Sequence, residues 1–98
     1  MTTNNTTNIA VRAYAVAAWV NEYNAHEGMY PTETPETYFH RLDEARRVEA
    51  LAADKVEELT GSRPEFVDQG GFMDGCGVIV FGFNGIEFEF DGKNLSIC

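Results

Sequence analysis

The chain has 98 residues, with 16 Asp and Glu against 7 Lys and Arg, and a net charge of −9. That length fits one small domain, and a domain of this size buries somewhat more than about 60 % of its unfolded surface, so one core can form without staples. Apolar residues make up 44 %, including seven Phe, four Tyr and one Trp, which excludes a disordered chain. The apolar runs are far shorter than the roughly 18 residues a membrane span needs.

Met1–Asn8 is polar and uncharged, with no basic start and no apolar stretch directly behind it, so no secretory signal is expected. The patterns Asn4-x-Thr6, Asn5-x-Thr7 and Asn94-x-Ser96 are therefore read as chance matches to the glycosylation motif. Two cysteines, Cys76 and Cys98, do not make a disulfide scaffold, and free thiols in a cytoplasmic protein are expected. Residues 64–98 hold six acids (Glu65, Asp68, Asp74, Glu87, Glu89, Asp91) against Lys93 alone. A surface of that sign repels nucleic acid and anionic lipid and favours a basic partner; solubility is the plainer explanation of the same charge.

Residues 1–8 are expected to be a disordered polar terminus, with Thr7 or Asn8 as a helix cap. A first helix then runs to about Asn24, where Ile9, Ala13, Val16, Val20 and Tyr23 recur at steps of three and four and predict its buried face. Four alanines (Ala10, Ala15, Ala17, Ala18) give it high propensity and thin side chains, and Tyr14 and Trp19 are read as core-edge aromatics. Residues 25–34 form a connection. Thr34-Pro35-Glu36 starts a second helix: the threonine caps, the proline lacks an N–H where none is needed, and the glutamate meets the positive helix end. That helix continues to Thr60 on a stripe of Tyr38, Leu42, Ala45, Ala52, Val56 and Leu59, with Val48 and Leu51 beside it. Gly61 stops it and Pro64 prevents resumption.

The remainder reads as strands, beginning with a short segment at Glu65–Asp68. Val78–Phe83 and Ile86–Asp91 flank Asn84-Gly85, the strongest short hairpin signal. A two-residue loop sets Phe83 opposite Ile86, Phe81 opposite Phe88 and Ile79 opposite Phe90, all apolar and on one face. The other face pairs Gly82 with Glu87, Val80 with Glu89 and Val78 with Asp91. A slip of one residue would mix the two faces. A turn at Asp91–Asn94 leads to Leu95 and Ile97, which extend the apolar surface. The expected fold is α+β, two helices packed on an antiparallel meander of three or four strands, over residues 9–98.

Chemistry-bearing constellations are sparse. His26 and His40 are the only histidines, with Glu36 one helical turn before His40. Cys76 lacks a local Cys–His signature, no Cys-x-x-Cys or helically spaced histidine pair occurs, and Asp68, Asp74 and the glycines between them lack the alternation of a calcium loop. The run from Gly70 to Gly77 has no lysine and precedes a strand, so it is not a phosphate cradle. Phe72 and Met73 inside it are candidate apolar anchors for a partner; packing beneath their own loop is the competing role. Glu87, Glu89 and Asp91 project from alternate positions of one strand at a spacing of roughly 6–7 Å, and such a row can enter a positively charged groove on another protein. Charges that keep the strand from aggregating are the plainer role.

Small acidic α+β chains without a catalytic motif resemble phage-encoded inhibitors of host defence, the anti-CRISPR and anti-restriction proteins. The resemblance rests on size, charge and layout, and no family motif carries residues across. The function expected is a non-catalytic binding module that offers an acidic surface (Glu87, Glu89, Asp91, Asp68 and Asp74, with Phe72 and Met73) to a basic or nucleic-acid-binding protein. It has no cofactor, no metal and no direct contact with nucleic acid or membrane. One alternative is an assembly module that self-associates as a homodimer through the Ala-rich helix or the sheet edge. Another is a small enzyme or metal protein that uses His40, His26 or Cys76.

Overall fold

A computed structural model describes residues 5–72 and 76–98, with only the backbone of Asn5. Helices α1 (Asn5–Glu27) and α2 (Pro35–Thr60) are followed by β1 (Glu65–Gly70), β2 (Val78–Phe83), β3 (Ile86–Phe90) and β4 (Leu95–Ile97). The strands form one antiparallel sheet in the order β1-β2-β3-β4. This is the expected α+β arrangement with four strands.

Local chemistry sets the boundaries of α2. The Thr34 hydroxyl accepts from the Thr37 N–H while the Thr37 hydroxyl accepts from the Thr34 N–H, a reciprocal cap followed by Pro35 in the first turn. Gly61 closes the helix at φ 80°, and its N–H returns to the Glu57 carbonyl. Asn84 (φ 54°) and Gly85 (φ 77°) are both left-handed, as a two-residue hairpin of this twist requires. The expected pairs Phe83–Ile86, Phe81–Phe88, Ile79–Phe90, Gly82–Glu87 and Val80–Glu89 are all present. Val78–Asp91 is not, because β3 ends at Phe90.

Two expectations are corrected. Residues 5–8 are helical, so α1 begins four residues earlier than the polar composition suggests and ends three later, at Glu27. The buried face of α1 is also not the periodic Ile/Val stripe. Ala10, Val11, Tyr14, Ala15, Ala17 and Ala18 are buried, whereas Ile9 is 70 % exposed, Val16 40 % and Val20 39 %. The reason is bulk. The core under α1 is filled from the sheet by Ile79, Phe81, Phe83 and Phe90, with Ala53 and Val56 from α2. Against these large side chains the helix fits mainly through its thin ones, with Val11 and Tyr14 the larger exceptions. Tyr14 packs edge-on to Phe81 with ring centroids 5.1 Å apart, and Phe81 stacks on Phe88 at 5.4 Å. Helix α2 packs along α1 rather than across the sheet. Ile97 is 65 % exposed, so the β4 end of the inner face lies beyond the helical cover.

Phe81→Ala is expected to cost about 3–5 kcal/mol and Ala18→Leu about 1–3 kcal/mol through overpacking. Val16→Ala should stay within about 0.5 kcal/mol. Urea unfolding of the three variants at low protein concentration checks the orientation of α1; a Val16→Ala loss as large as that of Phe81→Ala would refute it.

Candidate functional site

The sheet has helices on one face only, and four carboxylates are arrayed on the other. Register places Glu65 and Glu87 on either side of Gly82, and Asp68 and Glu89 on either side of Val80. Adjacent strands lie about 4.8 Å apart and alternate residues about 6.8 Å apart, so the four outline a rectangle of roughly 10 by 7 Å. Between the acidic rows β2 presents Gly82 and the half-buried Val80, while the half-buried Val78 lies opposite Gly70, beyond the Asp68–Glu89 edge. Among the described residues none of the four carboxylates enters an ion pair.

Asp68 reaches this face because of an irregularity. The pairing with β2 shifts between Phe66 and Asp68, so Glu65 and Asp68 both meet outward residues although they are three apart. A regular strand would have turned Asp68 inward. Cys98 borders the same face: partial burial, then the Glu89 and Glu87 carboxylates, push its thiol above its ordinary range and keep it protonated.

The other expected contact residues are placed differently. Asp91 lies past the end of β3, and its Oδ1 accepts from the Lys93 and Asn94 N–H groups at 2.9 and 2.7 Å. Those donors, Asn94 foremost, hold its carboxyl below the usual range. Asp91 therefore builds the turn into β4 instead of extending the acidic row. Phe72 is half-buried against the core, 5.5 Å from the Trp19 ring and stacked on His26 at 5.4 Å. A Cβ at residue 77 would stand 2.3 Å from the Phe72 ring, so Gly77 is what admits it. The Trp19 Nε1 donates to the Gly77 carbonyl at 2.8 Å and fixes the same loop end. Met73 and Asp74 lie outside the described residues.

His40, His26 and Cys76 are not gathered into one depression. His40 borders the groove between the helices, Cys76 a shallow one beside Asp68, Val78 and Val80, and His26 is stacked on Phe72 with Nδ1 2.9 Å from the Glu22 carbonyl. No group of three His, Cys, Asp or Glu among the described residues could hold a metal ion. None of their helices is long and apolar enough to cross a membrane.

One depression has walls that sequence periodicity identified as core. A groove of about 720 Å³ runs between α1 and α2, with Ile9, Ala13, Val16 and Val20 on one wall and Ala45 and Val48 on the other. Arg41 closes one end. Its Nε and Nη2 bind both oxygens of Glu33 at 2.9 Å, Nη1 binds the Asn24 side chain and Nη2 the Gly28 carbonyl. The guanidinium also lies 4.3 Å from the Tyr30 ring centroid. The Arg41 hydrogen bonds, then the Tyr30 N–H, hold the Glu33 carboxyl below its usual range.

Perturbed acids also occur where the sequence offered no signal. Burial raises the Tyr14 hydroxyl well above its ordinary value, with a smaller push from Glu49. Burial likewise raises Glu49, against the Asn21 amide that donates to it at 2.8 Å. Such shifts can mark active sites, but here each follows from packing between α1 and α2. A scan against protein-family profiles and searches of curated proteins and of solved structures found no match to this chain.

Glu49 gives a pH dependence of defined sign. Its folded-state pKa is raised, so the charged form is penalised in the fold above that pKa, and the penalty is relieved as pH falls through it toward the unfolded value. Glu49→Gln keeps an acceptor for Asn21 and removes the charge. It should raise the melting temperature more at pH 7 than near pH 4, since the penalty on the charged form is relieved as pH falls; thermal scans at both pH values check this.

Proposed function

We propose that this chain is a non-catalytic binding module that presents the open face of its sheet to a basic protein. The observation that carries the reading is the rectangle of Glu65, Asp68, Glu87 and Glu89 around Gly82 and the half-buried Val80, with none of the four in an ion pair among the described residues. Strand pairing fixes the backbone positions that carry the four carboxylates, so no backbone ordering is needed when a partner docks. Val80 adds apolar area that a purely ionic surface lacks. Arginine suits this face best, because its fork bridges carboxylates while its plane and stem cover apolar surface. A protein whose basic groove otherwise takes a nucleic-acid backbone is the partner this face fits, consistent with an inhibitor of a nucleic-acid-handling complex.

The test separates this face from bulk charge. One variant neutralises Glu65→Gln, Asp68→Asn, Glu87→Gln and Glu89→Gln together; a second neutralises Glu27→Gln, Glu36→Gln, Asp43→Asn and Glu58→Gln on the helices. With an arginine-rich peptide as probe in calorimetric titration at low salt, the sheet variant should lose affinity by about tenfold or more and the helix variant little. Circular dichroism should show both folded. Equal losses in the two variants would mean that only net charge matters and would end this reading.

A further inference from the structure

The groove between the helices has the properties of an interface, and we infer that its occupant is a second copy of this chain, related by a two-fold axis. The walls are apolar side chains that the fold leaves uncovered: Ile9, Val16 and Val20 from α1 and Val48 from α2, which is 44 % exposed. Ala13, Ala17 and Ala45 between them allow a neighbouring helix to approach closely.

Charge selects the occupant. The chain carries −9, so two copies meeting at most surfaces would repel. At the groove they would not. From Asn5 to Asn21, α1 has one charged side chain, Arg12, whose Nη2 donates to the Lys93 carbonyl at 2.8 Å. The other charged lining groups, Arg41 and Glu44, are paired within the chain to Glu33 and Arg47. Arg12 is the one charged lining group with no acid partner among the described residues, so a strongly charged partner finds at most a single counter-charge here. A second copy brings the same paired rim and the same Ile/Val ridge, which meets the groove of its mate isologously.

The area is sufficient. Ile9 to Asn24 spans about 24 Å of helix, and two helices side by side are roughly 20 Å wide. Each copy thus contributes about 500 Å², and the pair buries about 1,000 Å², the size at which specific interfaces begin. The dimer is therefore a weak, concentration-dependent one. The α1 residues of the groove point away from Val11, Ala15 and Ala18, which face the core beneath the sheet. Pairing through the helices leaves both acidic sheet faces outward, and the dimer offers two of them.

Sedimentation equilibrium of the intact protein should show a monomer–dimer equilibrium that persists at high salt. Val16→Glu with Val48→Glu should abolish it while circular dichroism stays native, and Ile97→Glu, on the exposed end of β4, should leave it intact. Should the double variant not fold, methyl NMR of the wild type at rising concentration replaces it, with shifts expected at Ile9, Val16, Val20 and Val48. A protein still monomeric at about 1 mM, which corresponds to binding weaker than about −4 kcal/mol, overturns the inference. So does a dimer that survives Val16→Glu/Val48→Glu or is lost with Ile97→Glu, or methyl shifts that fall elsewhere. None of these outcomes bears on the acidic sheet face, which binds in either state.

Discussion

Everything in this fold is arranged around α1, which has to pack on two elements at once. The sheet lies against one side through Phe81, Phe90 and Ile79, and α2 lies against another through Ala53 and Val56. A helix between two such neighbours must be thin over most of the contact, because a packed interior has room for few large side chains on both sides; Tyr14, edge-on to Phe81, fills one such place. The alanines meet that demand. Once Ala10, Ala15 and Ala18 face the core, the helical repeat of 3.6 residues turns Ile9, Val16 and Val20 the other way. The exposed apolar stripe is thus a geometric consequence of the core.

Two surfaces of opposite character follow. On the helical side the groove is apolar, and its lining Arg41 and Glu44 are paired within the chain. The sheet side is acidic and open: the helices lie against the other face, and among the described residues none of its four carboxylates is in an ion pair. Hydrogen bonding decides which acids belong to that face. Asp91 is drawn into a turn by the N–H groups of Lys93 and Asn94, whereas Asp68 is brought outward by the shift in register beside Phe66.

The Arg41 clasp ties these parts together at the far end. It joins the end of α1, the connection and the start of α2 through Asn24, Gly28 and Glu33, and its pairing compensates the cation at that end of the groove. The loop before β2 is fixed from the other side by Trp19, whose ring NH reaches the Gly77 carbonyl, and by Phe72 seated over the same glycine. Trp19 on α1 and Phe72 in this loop therefore hold the sheet to α1.

The sequence by itself determined what is local. Thr34, Pro35 and Gly61 delimit α2, Asn84-Gly85 fixes the hairpin, and the alternation of apolar and acidic residues sets the register that places Glu87 and Glu89 on the outer face. These outcomes depend on backbone dihedrals and on hydrogen bonds between near neighbours, which residue type controls directly. Only the tertiary structure decided which side of α1 is buried, because a periodic stripe of larger apolar residues and a face of alanines are both plausible cores until the bulk of the opposing sheet is known. It also decided that Glu65 and Asp68 complete the acidic rectangle and that Asp91 does not. Both turn on where a strand slips by one residue or ends, and that is set by packing and hydrogen bonding across strands distant in sequence.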